Sequence, residues 1–192
     1  MERTYNSLFL GMWLAWAAYW WALSRRVKAT ERRESLYSRL AFIVPLLFAG
    51  VLLFAPILEI PVINARFLPL AAWRVWGGVG VALNLAGLLL AVWARMYLGR
   101  NWSGVVTIKE DHELITGGPY RMVRHPIYTG LLLAFVGLAL ARGEWRSILG
   151  VVIAAGAFWR KLRIEECWMR ERFGDKYQTY SQRVAALIPF VI

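Results

Sequence analysis

Five apolar runs constrain this chain more than anything else in it: Leu8 to Leu23, Leu40 to Leu58, Ala71 to Leu98, Pro126 to Ala141 and Trp145 to Trp159. About 20 apolar residues in a helix cross the roughly 30 Å hydrocarbon core of a bilayer. Within lipid every backbone polar group must be satisfied internally, so segments of this kind become helices. The last two runs reach only about 24 Å at 1.5 Å per residue. Snorkelling of Arg142 and Arg146, or local thinning, makes up the difference. Hydrophobic residues make up 59% of the 192, more than the roughly half found in a soluble domain. The expected fold is all-α: a polytopic integral membrane protein with about five transmembrane helices in one domain, residues 1–192.

The charges sit between these runs. Six Lys and Arg follow the first run and one precedes it, whereas a cleavable signal peptide carries its charge in front. The first run is therefore expected to be retained as a transmembrane helix. Counted on alternate sides, Lys and Arg divide 18 against 5. The positive-inside rule then puts the N-terminus outside and the C-terminus in the cytoplasm. The net charge of +11 is dispersed between apolar segments instead of forming one tract, which argues against nucleic acid as a partner. A single cysteine, Cys167, excludes an intramolecular disulfide, and two histidines thirteen positions apart do not suggest zinc, so no metal is expected.

Several local features refine this frame. Trp13, Trp16, Trp20 and Trp21 suit a membrane interface or a helix contact. Gly77, Gly78, Gly80 and Gly87 give the third run a small-residue face for close helix packing, with Asn84 near its middle and Arg95 near its end. Gly99 to His125 is the longest polar connection, 27 residues interspersed with apolar side chains, and is expected to fold back as a cap or wall. After Arg160 the helix is expected to break at Phe173-Gly174, with a second helix capped by Asp175 and resting one face, Tyr177, Tyr180 and Val184, on lipid or protein.

Between the third and fourth runs lies a polar knot, Gly117-Gly118-Pro119-Tyr120-Arg121-Met122-Val123-Arg124-His125-Pro126-Ile127-Tyr128-Thr129-Gly130. Proline is favoured at the first helical position, so Arg124 and His125 stand at a helix N-terminus, where free N–H groups and the dipole favour an anion. The fifth run returns to the same side just before Glu165-Glu166, an acidic pair unfavourable at a helix C-terminal end unless compensated. A cationic cluster and paired carboxylates thus converge under the long connection. S-adenosylmethionine suits such a mixture. Arg124 and His125 match its carboxylate, Glu165 and Glu166 its ammonium or hydroxyls, and Tyr120, Leu114 and Ile115 its adenine. The chain has no strand-helix alternation and no G-x-G-x-x-G, which excludes the usual soluble dinucleotide fold.

Gly99-Arg100-Asn101-Trp102-Ser103, His112 to Tyr120, Arg124-His125-Pro126-Ile127-Tyr128-Thr129-Gly130, Glu165-Glu166 and Phe173-Gly174-Asp175-Lys176-Tyr177 together resemble the isoprenylcysteine carboxyl methyltransferase family, with part of the pattern shared by membrane phospholipid N-methyltransferases. The resemblance runs from about Leu98 to Pro189, and Met169 stands where the family usually has Leu. It implies a membrane enzyme that binds S-adenosylmethionine at the cytoplasmic face and methylates a lipophilic or lipidated acceptor from the bilayer. It also implies that His112, Tyr120, Arg124, His125, Tyr128, Glu165 and Glu166 line the cofactor site, in the half formed by residues 99–192, while residues 1–98 shape the acceptor side. Arg124 and Glu165 are the candidates for a catalytic role, exercised through alignment and desolvation. The sequence leaves open whether the acceptor atom is oxygen, nitrogen or sulfur. Two other readings are a sterol-reductase-like oxidoreductase using NADPH and a non-enzymatic membrane adaptor.

Overall fold

The computed structural model describes residues 2–24, 30–55, 60–69, 73–104, 107–109, 113–189 and 191. Five long helices dominate it: α1 (Glu2–Ser24), α2 (Leu36–Phe54), α4 (Trp73–Leu98), α5 (Pro126–Arg142) and α6 (Trp145–Phe173). The short α3 (Pro61–Asn64) and α7 (Asp175–Arg183) complete the helical set. The all-α expectation describes the bulk of the fold. Two short strands add to it, β1 (Thr30–Arg33) and β2 (Thr107–Lys109), antiparallel with Arg32 opposite Ile108. This ribbon ties the connection after α1 to the long connection after α4.

Two helices, Leu36–Phe54 and Arg74–Asn101, are long and apolar enough to cross a membrane, and Pro126–Arg142 is a shorter apolar helix. At 17 residues α5 is short, and α6 continues well past the fifth apolar run through the charged stretch Arg160 to Phe173, which dilutes its apolar character. The outward faces are nonetheless greasy: Leu10, Leu14, Val44, Leu47, Val75, Leu89 and Val152 are all exposed. Apolar surface on that scale needs lipid or another apolar partner against it.

The closest seam is between α4 and α5, and it is made by four glycines. A Cβ on Gly87 would lie 2.3 Å from the carbonyl oxygen of Gly130, and one on Gly130 would lie 2.5 Å from that of Gly87. Gly80 and Gly137 oppose each other in the same way, at 2.4 and 2.5 Å. The pairing order reverses along the chain, so the helices run antiparallel. Of the glycines expected to form this face, Gly78 instead has open space around it. Asn84 lies fully buried in the seam and donates from Nδ2 to the carbonyl of Ala134 at 2.8 Å, a polar bond across two apolar helices. On the other side of α5, the core gathers Phe42, Ala49 and Leu53 of α2, Phe135 and Leu138 of α5, and Ala154 and Phe158 of α6, with Phe9 of α1.

At the end where α2, α5 and the start of α6 meet, Arg146 is buried and donates to Glu144 at 2.5 Å and to the carbonyl of Ala55 at 2.6 Å. Arg142 donates to the carbonyl of Phe54 at 3.2 Å. The two arginines expected to snorkel thus cap the C-terminal carbonyls of α2, whose orphan acceptors are otherwise unsatisfied. The opposite end collects the C-termini of α1 and α4, the N-termini of α2 and α5, and the charged half of α6. There Arg95, buried within the bundle, donates to the carbonyls of Leu23 at 3.0 Å and Gly99 at 2.6 Å. Arg160 donates to the carbonyl of Ser38 at 3.1 Å.

Candidate functional site

Pro126 opens α5 at its first turn and His125 is the residue that caps it, as the Arg-His-Pro order requires. The backbone N–H groups before the helix are not free for an anion, however. Arg124 N donates to Ala185 O at 2.8 Å and His125 N to Ala186 O at 3.0 Å, while Thr129 Oγ1 donates to Leu187 O at 2.7 Å. The tail after α7 therefore lies along this segment, joined by a parallel bridge between Val123 and Ala185. Nothing in the sequence of the tail announces that it supplies these carbonyls. Gly174, with a φ of 52°, precedes α7, and Asp175 is its first residue and not its cap.

Behind this segment the two glutamates of α6 close a charged cluster. Arg124 Nε donates to Glu166 Oε1 at 2.8 Å, and its Nη1 donates to Ser181 O at 2.8 Å and also to Val184 O. His125 Nε2 lies 3.3 Å from the same Glu166 oxygen, and its Nδ1 lies 3.6 Å from Glu165 Oε2. Tyr128 donates its hydroxyl to Glu165 Oε1 at 2.7 Å. Arg170, one turn on from Glu166, reaches its second oxygen at 3.4 Å.

Burial alone would drive these groups neutral, and the pairing reverses that. Burial raises the Glu166 pKa, but hydrogen bonds from His125 and Arg124 outweigh it and hold the carboxyl at about 2. Glu165 is likewise held below the ordinary carboxylate value: burial opposes this, and His125, Lys161 and Tyr128 win. Burial works against a charged His125, yet the two carboxylates raise its pKa above the ordinary value. The cluster therefore sets two carboxylates against the Arg124 side chain and the His125 ring, each group within reach of a partner. Breaking one partner of such a buried set costs about 3 to 5 kcal/mol.

A cavity of about 380 Å³ opens beside the cluster, within the range of small-molecule sites. One wall is polar and carries Arg124, His125, Tyr128 and Glu165, with Lys161 one turn before Glu165 on α6. The long connection supplies a second wall through Asn101, Trp102, Ser103, Gly104, Glu113, Leu114, Ile115 and Tyr120. The remaining wall is apolar: Trp13, Trp16 and Trp20 of α1, Phe42 and Leu46 of α2, Leu131 and Phe135 of α5, and Phe158 of α6. His125 stacks on Tyr128 at 5.5 Å, Tyr128 on Phe158 at 4.9 Å, and Trp13 on Phe135 at 5.2 Å, so polar and apolar walls are continuous. Gly118 lets the second wall close. At a φ of 57° it meets the Tyr97 ring so tightly that a Cβ would lie 2.5 Å from it.

Of the residues expected at a cofactor site, Leu114, Ile115, Tyr120, Arg124, His125, Tyr128 and Glu165 share this cavity. Glu166 sits behind it, facing Arg124, His125 and Arg170. His112 lies outside the described residues. Sequence reasoning missed Lys161, Asn101, Trp102, Tyr177 and Tyr180, and it gave the α1 tryptophans no ligand role. The signal for the last was present, because Trp13, Trp16 and Trp20 recur at three and four residues and so share one helix face. Lys161 shares a face with Glu165 by the same spacing. Three polar atoms buried among the wall residues have no hydrogen-bond partner among the described residues: Asn101 Oδ1, Trp13 Nε1 and Trp16 Nε1. Unpaired buried polar atoms are rare in folded proteins.

The phospholipid methyltransferase family model matches residues 75–176, just over half of the chain. A probable protein-S-isoprenylcysteine O-methyltransferase of Oryza sativa subsp. indica is 32% identical over 116 residues, covering 59% of this chain and 61% of that one. The protein-S-isoprenylcysteine O-methyltransferase of Schizosaccharomyces pombe is 32% identical over 101 residues, covering 51% and 43%. The chain thus spans about three fifths of the rice relative and less of the yeast one. Among solved structures, a eukaryotic intramembrane Ras methyltransferase, isoprenylcysteine carboxyl methyltransferase, aligns at a TM-score of 0.53 and 23% identity, over 84% of this chain and 55% of that one. That likeness extends to the helical fold. The resemblance read from Gly99 to Tyr177 is borne out by these matches, and the chain belongs to the phospholipid methyltransferase family, with isoprenylcysteine methyltransferases among its relatives.

Proposed function

We propose that this chain transfers a methyl group from S-adenosylmethionine to the carboxylate of a lipophilic acceptor of the prenylcysteine kind, at the cytoplasmic face of a membrane. The observation that carries the reading is the single cavity in which the His125, Tyr128 and Glu165 cluster runs directly into a chamber of aromatic side chains. S-adenosylmethionine, when bound, would supply an electrophilic methyl on a sulfonium for the acceptor's carboxylate oxygen, with S-adenosylhomocysteine as the neutral leaving group.

The residues present fit that cofactor. Asn101 Oδ1 is a buried acceptor with no partner among the described residues, suited to an amine of the cofactor. Glu165 faces the cavity with its charge held on, suited to the ammonium or the ribose hydroxyls. Tyr120, Leu114 and Ile115 flank a place for the adenine. Arg124 retains its Nη2 edge, which has no partner among the described residues, for the cofactor carboxylate. Glu166 acts through Arg124 and His125, holding both in place. Methylation of a carboxylate removes no proton, so alignment and exclusion of water are what the site contributes. The α1 tryptophans, with Phe42 and Leu46, hold the acceptor's apolar chain, so residues 1–98 form the acceptor side and residues 99–192 the cofactor side.

The five long helices cross the membrane in alternation, with the N-terminus outside and the cluster, α7 and the C-terminal segment cytoplasmic. The 18 to 5 split of Lys and Arg supports that orientation. In a Cys167→Ser background, Lys176→Cys should react with an impermeant maleimide from the cytoplasmic side and Val62→Cys from the other. The reverse pattern overturns the topology. The activity is tested by incubating detergent-solubilised protein with labelled S-adenosylmethionine and either a farnesylcysteine or an ethanolamine phospholipid. Label should enter the carboxylate as a base-labile ester. Label on the phospholipid amine alone would replace this reading, and a thermal shift with NADPH but none with S-adenosylhomocysteine would remove it.

A further inference from the structure

Lys161 stands on the cavity wall one turn before Glu165, near enough to favour that carboxylate's charge but not paired with it. Its side chain is buried, with 5% of the residue exposed, and no carboxylate lies within ion-pair distance among the described residues. Nζ donates to the carbonyl of Gly104 at 2.8 Å and sits 4.3 Å from the centroid of the Phe42 ring and 5.7 Å from that of Tyr128. An ammonium has three donors and no acceptor. One is used by Gly104, and two face a low-dielectric space where an opposite charge is worth far more than in water. Arg124, the other full cation on this wall, is already committed to Glu166 and to the carbonyls of Ser181 and Val184.

The position of Lys161 fixes what its partner must be. Glu165, one helical turn along α6, and Tyr128 of α5, which donates to it, form the polar end of the cavity on one side of Lys161. Phe42 and Phe158, the start of the aromatic chamber, lie on the other. A ligand whose apolar chain fills the chamber therefore presents its head beside Nζ. An anionic head completes the ammonium's bonding, whereas a cationic head meets a like charge in a desolvated site.

We propose that Lys161 is the specificity-determining residue for the acceptor, selecting a carboxylate head on an apolar chain and rejecting an amine. The inference rests on the methyl-transfer reading for its acceptor, but it is tested by binding alone. The probes are a farnesyl thioether bearing a carboxylate and the same thioether bearing a primary amide, titrated into the detergent-solubilised wild type, Lys161→Gln, Lys161→Met and Lys161→Arg. Affinity for S-adenosylhomocysteine is measured in each.

The wild type should bind the carboxylate at least tenfold tighter than the amide. Lys161→Gln and Lys161→Met should bring that ratio to within threefold of unity, Lys161→Arg should preserve most of it, and S-adenosylhomocysteine affinity should change by less than twofold throughout. The retained S-adenosylhomocysteine binding reports that the variants are folded. A wild-type ratio near unity, or a ratio unchanged in Lys161→Gln, overturns the proposal. So does a loss of S-adenosylhomocysteine affinity at unchanged ratio, which assigns Lys161 to the cofactor instead. A role limited to pinning Gly104 would weaken both probes alike. If methyl transfer to farnesylcysteine proceeds while the ratio ignores Lys161, this proposal falls and the activity stands. If the ratio depends on Lys161 but no methyl transfer occurs, the activity falls and the anion site stands.

Discussion

Gly87→Ala should do more damage than any other single-methyl change in the bundle, and the reason is geometric. The new Cβ would lie 2.3 Å from Gly130 O and 2.5 Å from Ala134 N, where ordinary contact begins near 3.4 Å. Both obstacles are backbone, so no rotamer change can relieve them, and α4 and α5 must part by about 1 Å. Overpacking of this kind costs about 1 to 3 kcal/mol. Gly78→Ala, on the same helix with nothing within 4 Å, is the control and should gain up to about 1 kcal/mol from better helix propensity. The two variants should therefore differ by about 1 to 4 kcal/mol.

Function should suffer further, because α5 carries His125 and Tyr128 at its site end, and a shift of about 1 Å in an aligned site can lower a rate by about a hundredfold. Gly130→Ala meets the reciprocal obstacle, Gly87 O at 2.5 Å, and should behave alike. The double variant should be less than additive, since a seam already opened accommodates the second methyl. Denaturation in detergent gives the stabilities, and methyl transfer gives the rates. If Gly87→Ala unfolds together with Gly78→Ala, the seam is not a backbone contact and the argument fails.

Arg146→Ala should destabilise the protein by about 3 kcal/mol in the same denaturation assay, since it strands Glu144 and the carbonyl of Ala55; a change below 0.5 kcal/mol refutes this. Tyr128→Phe keeps the stacks on His125 and Phe158 but removes the donor to Glu165, and should weaken S-adenosylhomocysteine binding about tenfold by calorimetry; unchanged affinity would detach Tyr128 from the site. Because the folded pKa of His125 is raised, its stabilisation is complete below its unfolded value near 6.5 and is lost as pH rises through the folded value. The stability gap between wild type and His125→Gln should therefore narrow in alkali, and a gap constant from pH 6 to pH 9 contradicts the pairing. Arg124→Lys cannot reach Glu166, Ser181 and Val184 together, so trypsin should cut more readily after Arg183 than in the wild type.

What was legible in the sequence followed from local rules. Pro126 after Arg124-His125 marks the start of α5 because proline is tolerated there and hardly anywhere later in a helix, and the break at Phe173-Gly174 falls at the end of α6. Glu165 and Glu166 were identified as needing partners, and the structure supplies Arg124, His125 and Tyr128, but the reason differs: α6 runs on past them to Phe173, beyond the last-turn reach of the helix dipole, and it is burial that demands the partners. What was not legible depends on contacts between distant segments. The glycines of α4 are visible as small residues, but only their reciprocal approach to Gly130 and Gly137 separates Gly80 and Gly87 from the open Gly78. The ribbon of Thr30–Arg33 with Thr107–Lys109 leaves no trace, since a charged four-residue strand has no apolar alternation to read. The carbonyls of Ala185 and Ala186 come from backbone, which sequence composition does not reveal.

The arginines at the site end account for a division of labour that the charge count conceals. Arg95 grips the carbonyls of Leu23 and Gly99 and lies 4.5 Å from the Trp102 ring, Arg160 grips Ser38, and Arg124 grips Ser181 and Val184. Each joins two elements by a planar group with several fixed donors, which a lysine's point charge cannot reproduce. These cations thus satisfy carbonyls left unpaired where helices end. The charges on the wall that face a ligand are those the arginines do not consume, the Glu165 carboxylate and the Lys161 ammonium, together with the Nη2 edge that Arg124 keeps while its other donors hold Glu166, Ser181 and Val184. Arg124 thus serves both ends at once: the bonds that fix the tail against α5 also fix the edge it presents, so the site can hold a fixed geometry while its ligands come and go.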